Sequence, residues 1–188
     1  MSTPVIGPVL IRHGEVHRRW RGVCYGASDV GLSPRGRAQH RRLADRLARW
    51  SVRQVVSSDL RRTRHLAVAI AERHDLEPTF EPALRERDFG AWERRDWQTI
   101  YEETGAAMDG MIDAPRTWRP PAGETTYAMR DRVVDCFDRL ASRGGLVVVT
   151  HGGPIAALRG TRLGLAVREW PALVPPWGSL VPLDGESP

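Results

Sequence analysis

Apolar runs alternate along this chain with stretches of helical period. The segment VIGPVLI, residues 5–11, is apolar almost throughout and ends abruptly at Arg12, the pattern of a strand buried on both faces. Ser33 and Pro34 form an N-cap followed by proline at the first helical position. The helix they open, about Pro34 to Trp50, puts Leu43, Leu47 and Trp50 on one face. RQVVSS, residues 53–58, is a second short apolar run. Asp59 then stands where a cap or first-turn acid would open a helix to about His74, with Leu66 and Ile70 inside. EPTFEP, residues 77–82, reads as a third strand. A further helix, about Glu124 to Ala141, carries Tyr127, Val134 and Phe137. GLVVVTH, residues 145–151, is a clear buried strand, and a helix follows from Gly153 or Pro154. WGSLVPL, residues 177–183, contains a proline and is expected at a sheet edge.

Strands alternating with helices predict an α/β domain with a mainly parallel central sheet. Nothing divides the chain, so residues 1–188 are expected to form one domain. Residues of about 82–122 are charged, rich in tryptophan and broken by Pro115, Pro120 and Pro121. They are expected to be a lid-like insertion over a site.

Composition narrows the function classes. The chain has 188 residues and a net charge of +5, and all its basic residues are arginine. The arginines are interleaved with acids and form no basic arm, which favours a small anionic partner and gives nucleic acid little support. No apolar run approaches the roughly 20 residues that span a bilayer, so no membrane partner is expected. The start, MSTPVIGPVL, has no basic region or cleavage site of a leader, and a cytoplasmic protein is expected. Cys24 and Cys136 have no metal-ligand spacing and read as free thiols. His13 and His17 would suit a metal on a helix, but they follow a strand and have no third ligand near, so no metal or other cofactor is expected. A homodimer is left open.

Two apolar strands end in the same way, one in Arg12-His13-Gly14 and the other in His151-Gly152-Gly153. Ligands of such sheets bind outside the carboxyl ends of the strands. If the two strands are parallel neighbours, both histidines emerge on that edge. The glycines let backbone approach a ligand and leave N–H groups for an anion. The run VVSS exits into DLRRTR, so Arg61, Arg62 or Arg64 can reach the same edge from a helix N-terminus. Two histidines with at least two arginines fit a phosphoryl group. Arginine binds phosphate through a planar fork, and neutral histidine attacks phosphorus. A carboxyl group on a loop over the site would protonate the leaving oxygen. The blander alternatives are an ion pair of the Arg12-His13 end with Glu15, a satisfied strand-end histidine at 151, and solvated charge at Glu86.

LIRHGE, SSDLRRTRHLA, LRERDFGAWE and VVVTHGG, in that order, resemble the histidine phosphatase superfamily, the phosphoglycerate mutase-like proteins, over about residues 8–183. The resemblance implies a three-layer sandwich with helices on both faces of the sheet, and no metal. It implies His13 as the nucleophile that becomes phosphohistidine, with Arg12 beside it in the phosphate pocket. Aligning Ser57, Leu60 and Ala67 makes Arg62 the phosphate arginine. His151 is implied as the second pocket histidine and Glu86 as the proton donor. The expected reaction is hydrolysis of a phosphate monoester. CYGASDVGLS, residues 24–33, is similar to a segment of bacterial α-ribazole phosphatases of cobalamin assembly, with Gly31 where proline is usual. Arg19 stands where many relatives carry asparagine. A broad metabolite phosphatase or mutase-like enzyme is the alternative, and a non-catalytic binder of phosphate esters or nucleic acid is the alternative of another class. Expected substrate contacts are Arg12, Gly14, Tyr25, Gly26, Arg62, Glu124 and Gly152.

Overall fold

Five strands form one sheet: β1 Val9–Arg12, β2 Gln54–Ser57, β3 Thr79–Phe80, β4 Leu146–Thr150 and β5 Leu180–Pro182. The computed structural model describes residues 7–140 and 144–183. The spatial order is β3-β2-β4-β1-β5; the first four strands are parallel, and β5 joins β1 antiparallel at the edge. The helices are α1 Pro34–Leu47, α2 Arg61–Ala71, α3 Trp97–Thr104, α4 Gly110–Asp113, α5 Thr126–Leu140 and α6 Gly152–Arg162.

The pleat divides each strand between two cores. Val9 and Ile11 of β1 join Val55, Val147 and Val149 against Leu43 and Leu47 of α1 and Leu66 and Ile70 of α2. Leu10 joins Val56 and Val148 against Phe137 of α5 and Ile155 and Leu158 of α6. This is the expected three-layer sandwich, and it explains why β1 and β4 lack polar alternation: both faces are covered. Phe137 is fully buried, and its truncation to alanine costs about 3–5 kcal/mol at such a site.

Several boundaries differ from the sequence reading. β1 begins at Val9; Pro8, which precedes it, has no N–H to give a ladder, and Val5 and Ile6 lie outside the described residues. α1 is capped as expected, with Ser33 Oγ accepting from Gly36 N–H at 2.9 Å, but it ends at Leu47. Trp50 lies beyond it under the Arg46 guanidinium. Asp59 does not cap α2. Leu60 occupies the cap position, and Arg61 N–H donates to Asp29 Oδ1 at 2.7 Å from a distant loop. Asp59 is held instead by Arg85. α2 ends at Ala71 and continues as a 3-10 turn to His74. The strand expected over 77–82 is only two residues long. α5 starts at Thr126, after Thr125, whose Oγ1 accepts from Ala128 N–H at 3.0 Å; its expected end at Ala141 lies outside the described residues.

Residues 82–122 carry α3, α4 and a small core of their own. Trp92 and Ile100 are buried with Cys24, flanked by Phe89, Trp97 and Trp118. Phe89 and Trp97 meet edge to face at 5.2 Å. The segment is tied to the loop after β1 by Cys24 N–H, which donates to Arg95 O at 2.8 Å. Among the described residues, no helix is long and apolar enough to cross a membrane.

Candidate active site

β1 and β4 are parallel neighbours in a register that pairs Arg12 with Thr150. The next residue on each strand is a histidine, so His13 and His151 leave the sheet side by side. His13 N–H donates to Thr150 O at 3.1 Å, and the two ring centroids are 5.2 Å apart. Both rings are buried.

Hydrogen bonds fix both tautomers. His13 Nδ1 lies 2.7 Å from Gly14 O, which can only accept. Nδ1 therefore carries the proton, and Nε2 keeps its lone pair. Burial pushes this imidazole well below its ordinary pKa of 6.5; Arg62, Arg12 and His40 push the same way, against the Gly14 carbonyl. His151 Nδ1 accepts from Arg62 Nε at 3.2 Å, so its Nε2 bears the proton facing Ser58 Oγ at 2.8 Å. Burial, then Arg62, His13 and Arg12, lower its pKa well below the ordinary value. Both rings are neutral at pH 7.

Arg62 is fully buried. Nη1 donates to Ser28 O at 2.6 Å and Nη2 to Gly26 O at 2.5 Å, with the Tyr25 ring 5.3 Å away. Arg12 donates Nη1 to Pro175 O at 2.6 Å, and its buried Nε has no partner. None of the ion pairs among the described residues involves Arg12 or Arg62. Burying a guanidinium against neutral acceptors alone is costly, and a site that does so is prepared for an anion. Arg61 and Arg64 are exposed, with Arg64 lying over Phe80.

Gly152 and Gly153 open α6. A side chain at Gly152 would press on Arg12 Cζ at 3.2 Å and Val174 at 2.9 Å. Gly153 N–H donates to Glu86 Oε2 at 3.2 Å, and Glu86 Oε1 accepts from Arg87 N–H at 3.0 Å. Glu86 is thus brought to the strand edge, whereas Asp88 folds back on Gly90 N–H. Glu93 accepts from Ala27 and Ser28 N–H and from the Ser28 hydroxyl, clamping the loop that presents Gly26 O to Arg62. A cleft of about 320 Å³ is walled by Tyr25, Gly26, Glu86, Phe89, Trp97 and Gly153. Neither histidine is among the residues that line it.

Two of the expected contacts have polar partners within the protein. Glu124 holds Arg132 through both carboxylate oxygens, at 2.5 and 3.0 Å, and accepts from Asp88 N–H at 2.9 Å. Its carboxylate is engaged in fixing the loop that carries Glu86, not in meeting Arg12 or Arg62. Gly14 adjoins His13 and packs on Gly36, where a side chain would lie 2.5 Å from Gly36 O, and its N–H donates to His40 Nε2 at 2.7 Å. Arg19 is exposed and stacks on Trp20. Glu15 pairs with Arg21 and Ser33 rather than with Arg12 or His13. Ser58, Asp29, Glu93 and Arg87 were not foreseen. Ser58 had a signal, since it is the residue at which β2 exits toward the same edge. Among the described residues, no three His, Cys, Asp or Glu side chains are grouped to hold a metal ion.

The profile of the histidine phosphatase superfamily, branch 1, matches residues 9–187. The chain belongs to that superfamily. A glucosyl-3-phosphoglycerate phosphatase of Mycolicibacterium vanbaalenii is 34% identical over 179 residues, covering 88% of this chain and 77% of the relative. A probable phosphoglycerate mutase of Salmonella choleraesuis is 31% identical over 160 residues, with coverage of 83% and 74%. Among solved structures, a mycobacterial glucosyl-3-phosphoglycerate phosphatase superposes with a TM-score of 0.80 at 31% identity, covering 92% of this chain and 86% of that one. The α-ribazole phosphatase of Shigella flexneri gives 0.80 at 26%, with coverage of 92% and 87%. The protein is a histidine-type phosphatase of phosphoglycerate mutase-like fold. These relatives carry different names for their activity: glucosyl-3-phosphoglycerate phosphatase, probable phosphoglycerate mutase and α-ribazole phosphatase.

Proposed function

We propose that this protein hydrolyses a phosphate monoester through a phosphohistidine on His13. The observation that carries the reading is the pair of carboxylate-free guanidiniums, fully buried Arg62 and half-buried Arg12, beside two neutral histidines. Phosphate fills that need: its oxygens replace the missing counter-ion, and Arg12 Nε gains an acceptor. His13 Nε2 attacks phosphorus as the ester P–O bond breaks. Glu86, in its protonated form, gives its proton to the leaving oxygen. Water, deprotonated by the same carboxylate, then attacks phosphohistidine and releases phosphate. Arg12, Arg62 and His151 hold the charge that grows on the transferring group.

The ester we favour is α-ribazole 5′-phosphate, which would place the enzyme late in cobalamin assembly. The segment that resembles α-ribazole phosphatases supplies Tyr25 and Gly26 to the cleft, and Phe89 and Trp97 give it aromatic walls suited to a flat ring. A largely apolar cavity of about 240 Å³, lined by Met111, Ile112 and Trp170, adjoins it through Met129 and Gly153. A sugar ester of phosphoglycerate is the second reading, favoured by the higher identity of the mycobacterial relatives. The two are separated by kcat/KM for α-ribazole 5′-phosphate, glucosyl-3-phosphoglycerate and 3-phosphoglycerate, with p-nitrophenyl phosphate as reference and His13→Ala as control. Preference for the ribazole ester supports the first reading, and preference for the glucosyl ester replaces it. Equal activity in His13→Ala overturns the nucleophile.

A further inference from the structure

Two consecutive side chains of α1 grip the peptides on either side of Gly14. α1 comes close enough because Gly14 packs directly on Gly36, leaving no room for a side chain. One turn further on, Gln39 Oε1 accepts from Glu15 N–H at 2.8 Å. The other end of that same peptide is Gly14 O, the acceptor of the His13 Nδ1 proton at 2.7 Å. The preceding peptide is held in the same way: Gly14 N–H donates to His40 Nε2 at 2.7 Å, and His13 O accepts from Gly178 N–H at 2.9 Å. Gln39 Nε2 donates to Trp177 O at 2.9 Å, which ties the grip to the turn whose Pro175 O holds Arg12.

We propose that Gln39 and His40 are positioning residues for the His13 nucleophile. The proposal rests on His13 being that nucleophile. Gln39 polarises the peptide that receives the nucleophile's proton, and hydrogen bonds in such a chain strengthen one another. As Nε2 bonds to phosphorus the imidazole gains positive charge, and Nδ1–H presses harder on Gly14 O. The grip therefore acts more on the transition state than on substrate binding. His40 can accept from Gly14 only with Nε2 bare, so its proton sits on Nδ1, facing His65 Nδ1 at 3.1 Å. Burial and His65 keep His40 neutral, with its pKa lowered to about 3. The acceptor therefore persists at ordinary pH.

The test is steady-state kinetics on p-nitrophenyl phosphate with His40→Leu, His40→Gln and Gln39→Leu, beside inhibition by inorganic phosphate. Loss of one buried acceptor should lower kcat roughly ten- to a hundredfold. In His40→Leu, KM and the inhibition constant for phosphate should change by less than about threefold, because Arg12 and Arg62 keep their places. His40→Gln, whose amide oxygen can reach Gly14 N–H, should recover most of the lost kcat. Unchanged kcat in His40→Leu and Gln39→Leu overturns the proposal, as does failure of His40→Gln to exceed His40→Leu. Should the leucine variants not fold, 15N NMR of the wild-type imidazoles decides: a proton on His40 Nε2, or a bare His13 Nδ1, at pH 7 overturns it. That NMR outcome is independent of activity. A failed nucleophile would show instead as full activity in His13→Ala.

Discussion

Acidification from pH 7.5 to 5 should destabilise this fold through three histidines that it keeps neutral. His13, His40 and His151 are essentially without solvent exposure, and burial is the first cause of a lowered pKa in each. An unfolded histidine titrates near 6.5. Below that pH the unfolded chain binds protons that the folded chain refuses, so stability is full above 6.5 and falls as the pH falls. A histidine held neutral throughout this range, as His40 is with its pKa lowered to about 3, contributes a slope of about 1.4 kcal/mol per pH unit. From 6.5 to 5 His40 alone accounts for about 2 kcal/mol, and His13 and His151 add to the loss with the same sign. Exposed His65, also lowered, adds a smaller slope of the same sign. Glu15 and Asp59, whose carboxyls are held below their usual range by Ser33 with Arg21 and by Arg85, enter only nearer pH 4. Urea unfolding at pH 7.5, 6.5, 5.5 and 5.0 measures the slope, and His40→Gln should lower it by about 1.4 kcal/mol per pH unit below pH 6.5. A stability that varies by less than about 1 kcal/mol between pH 7 and 5 would refute the reasoning.

Other substitutions probe single contacts. Arg62→Leu should cut kcat/KM for p-nitrophenyl phosphate by roughly 10²–10³-fold. It should also abolish the rise in Tm that inorganic phosphate gives the wild type in a thermal melt. Gly153→Ala puts a methyl group against Glu86 Oε1, and kcat should fall by about a hundredfold with the urea midpoint little changed. Arg132→Leu releases Glu124 and strips a donor from the carbonyls of Ala83, Arg85 and Glu86; it should cost about 1–3 kcal/mol in urea unfolding and lower kcat.

What the sequence revealed followed from periodicity, and what it concealed depended on contacts between distant segments. β1 and β4 were legible because strands covered on both faces leave an unbroken apolar run. Their common exit into histidine located the site. Arg62 carried a signal of its own: it precedes Leu66 by four residues and Ile70 by eight, so it shares the buried face of α2, while Arg61 and Arg64 point away. The cap of α2 was hidden because Asp29 supplies it from 32 residues earlier. Glu86 stood among four charges, and only the family pattern singled it out; the structure separates it from Asp88 and Glu93 by where each carboxylate finds its N–H donors. Glu124 was expected at the pocket only from the family pattern, and its hold on Arg132, eight residues on in the next helix, has no sequence signal. The core of residues 82–122 has no period, since tryptophans meeting edge to face follow no register.

The central claim is a covalent phosphoryl group on His13. Rapid quenching of the enzyme with a 32P-labelled phosphate monoester, under conditions that preserve phosphohistidine, measures it directly. Label on the peptide containing His13, stable to alkali and lost in acid, and absent from His13→Ala, is the predicted result. Hydrolysis that proceeds with equal label in His13→Ala, or with the label on another residue, would contradict the account.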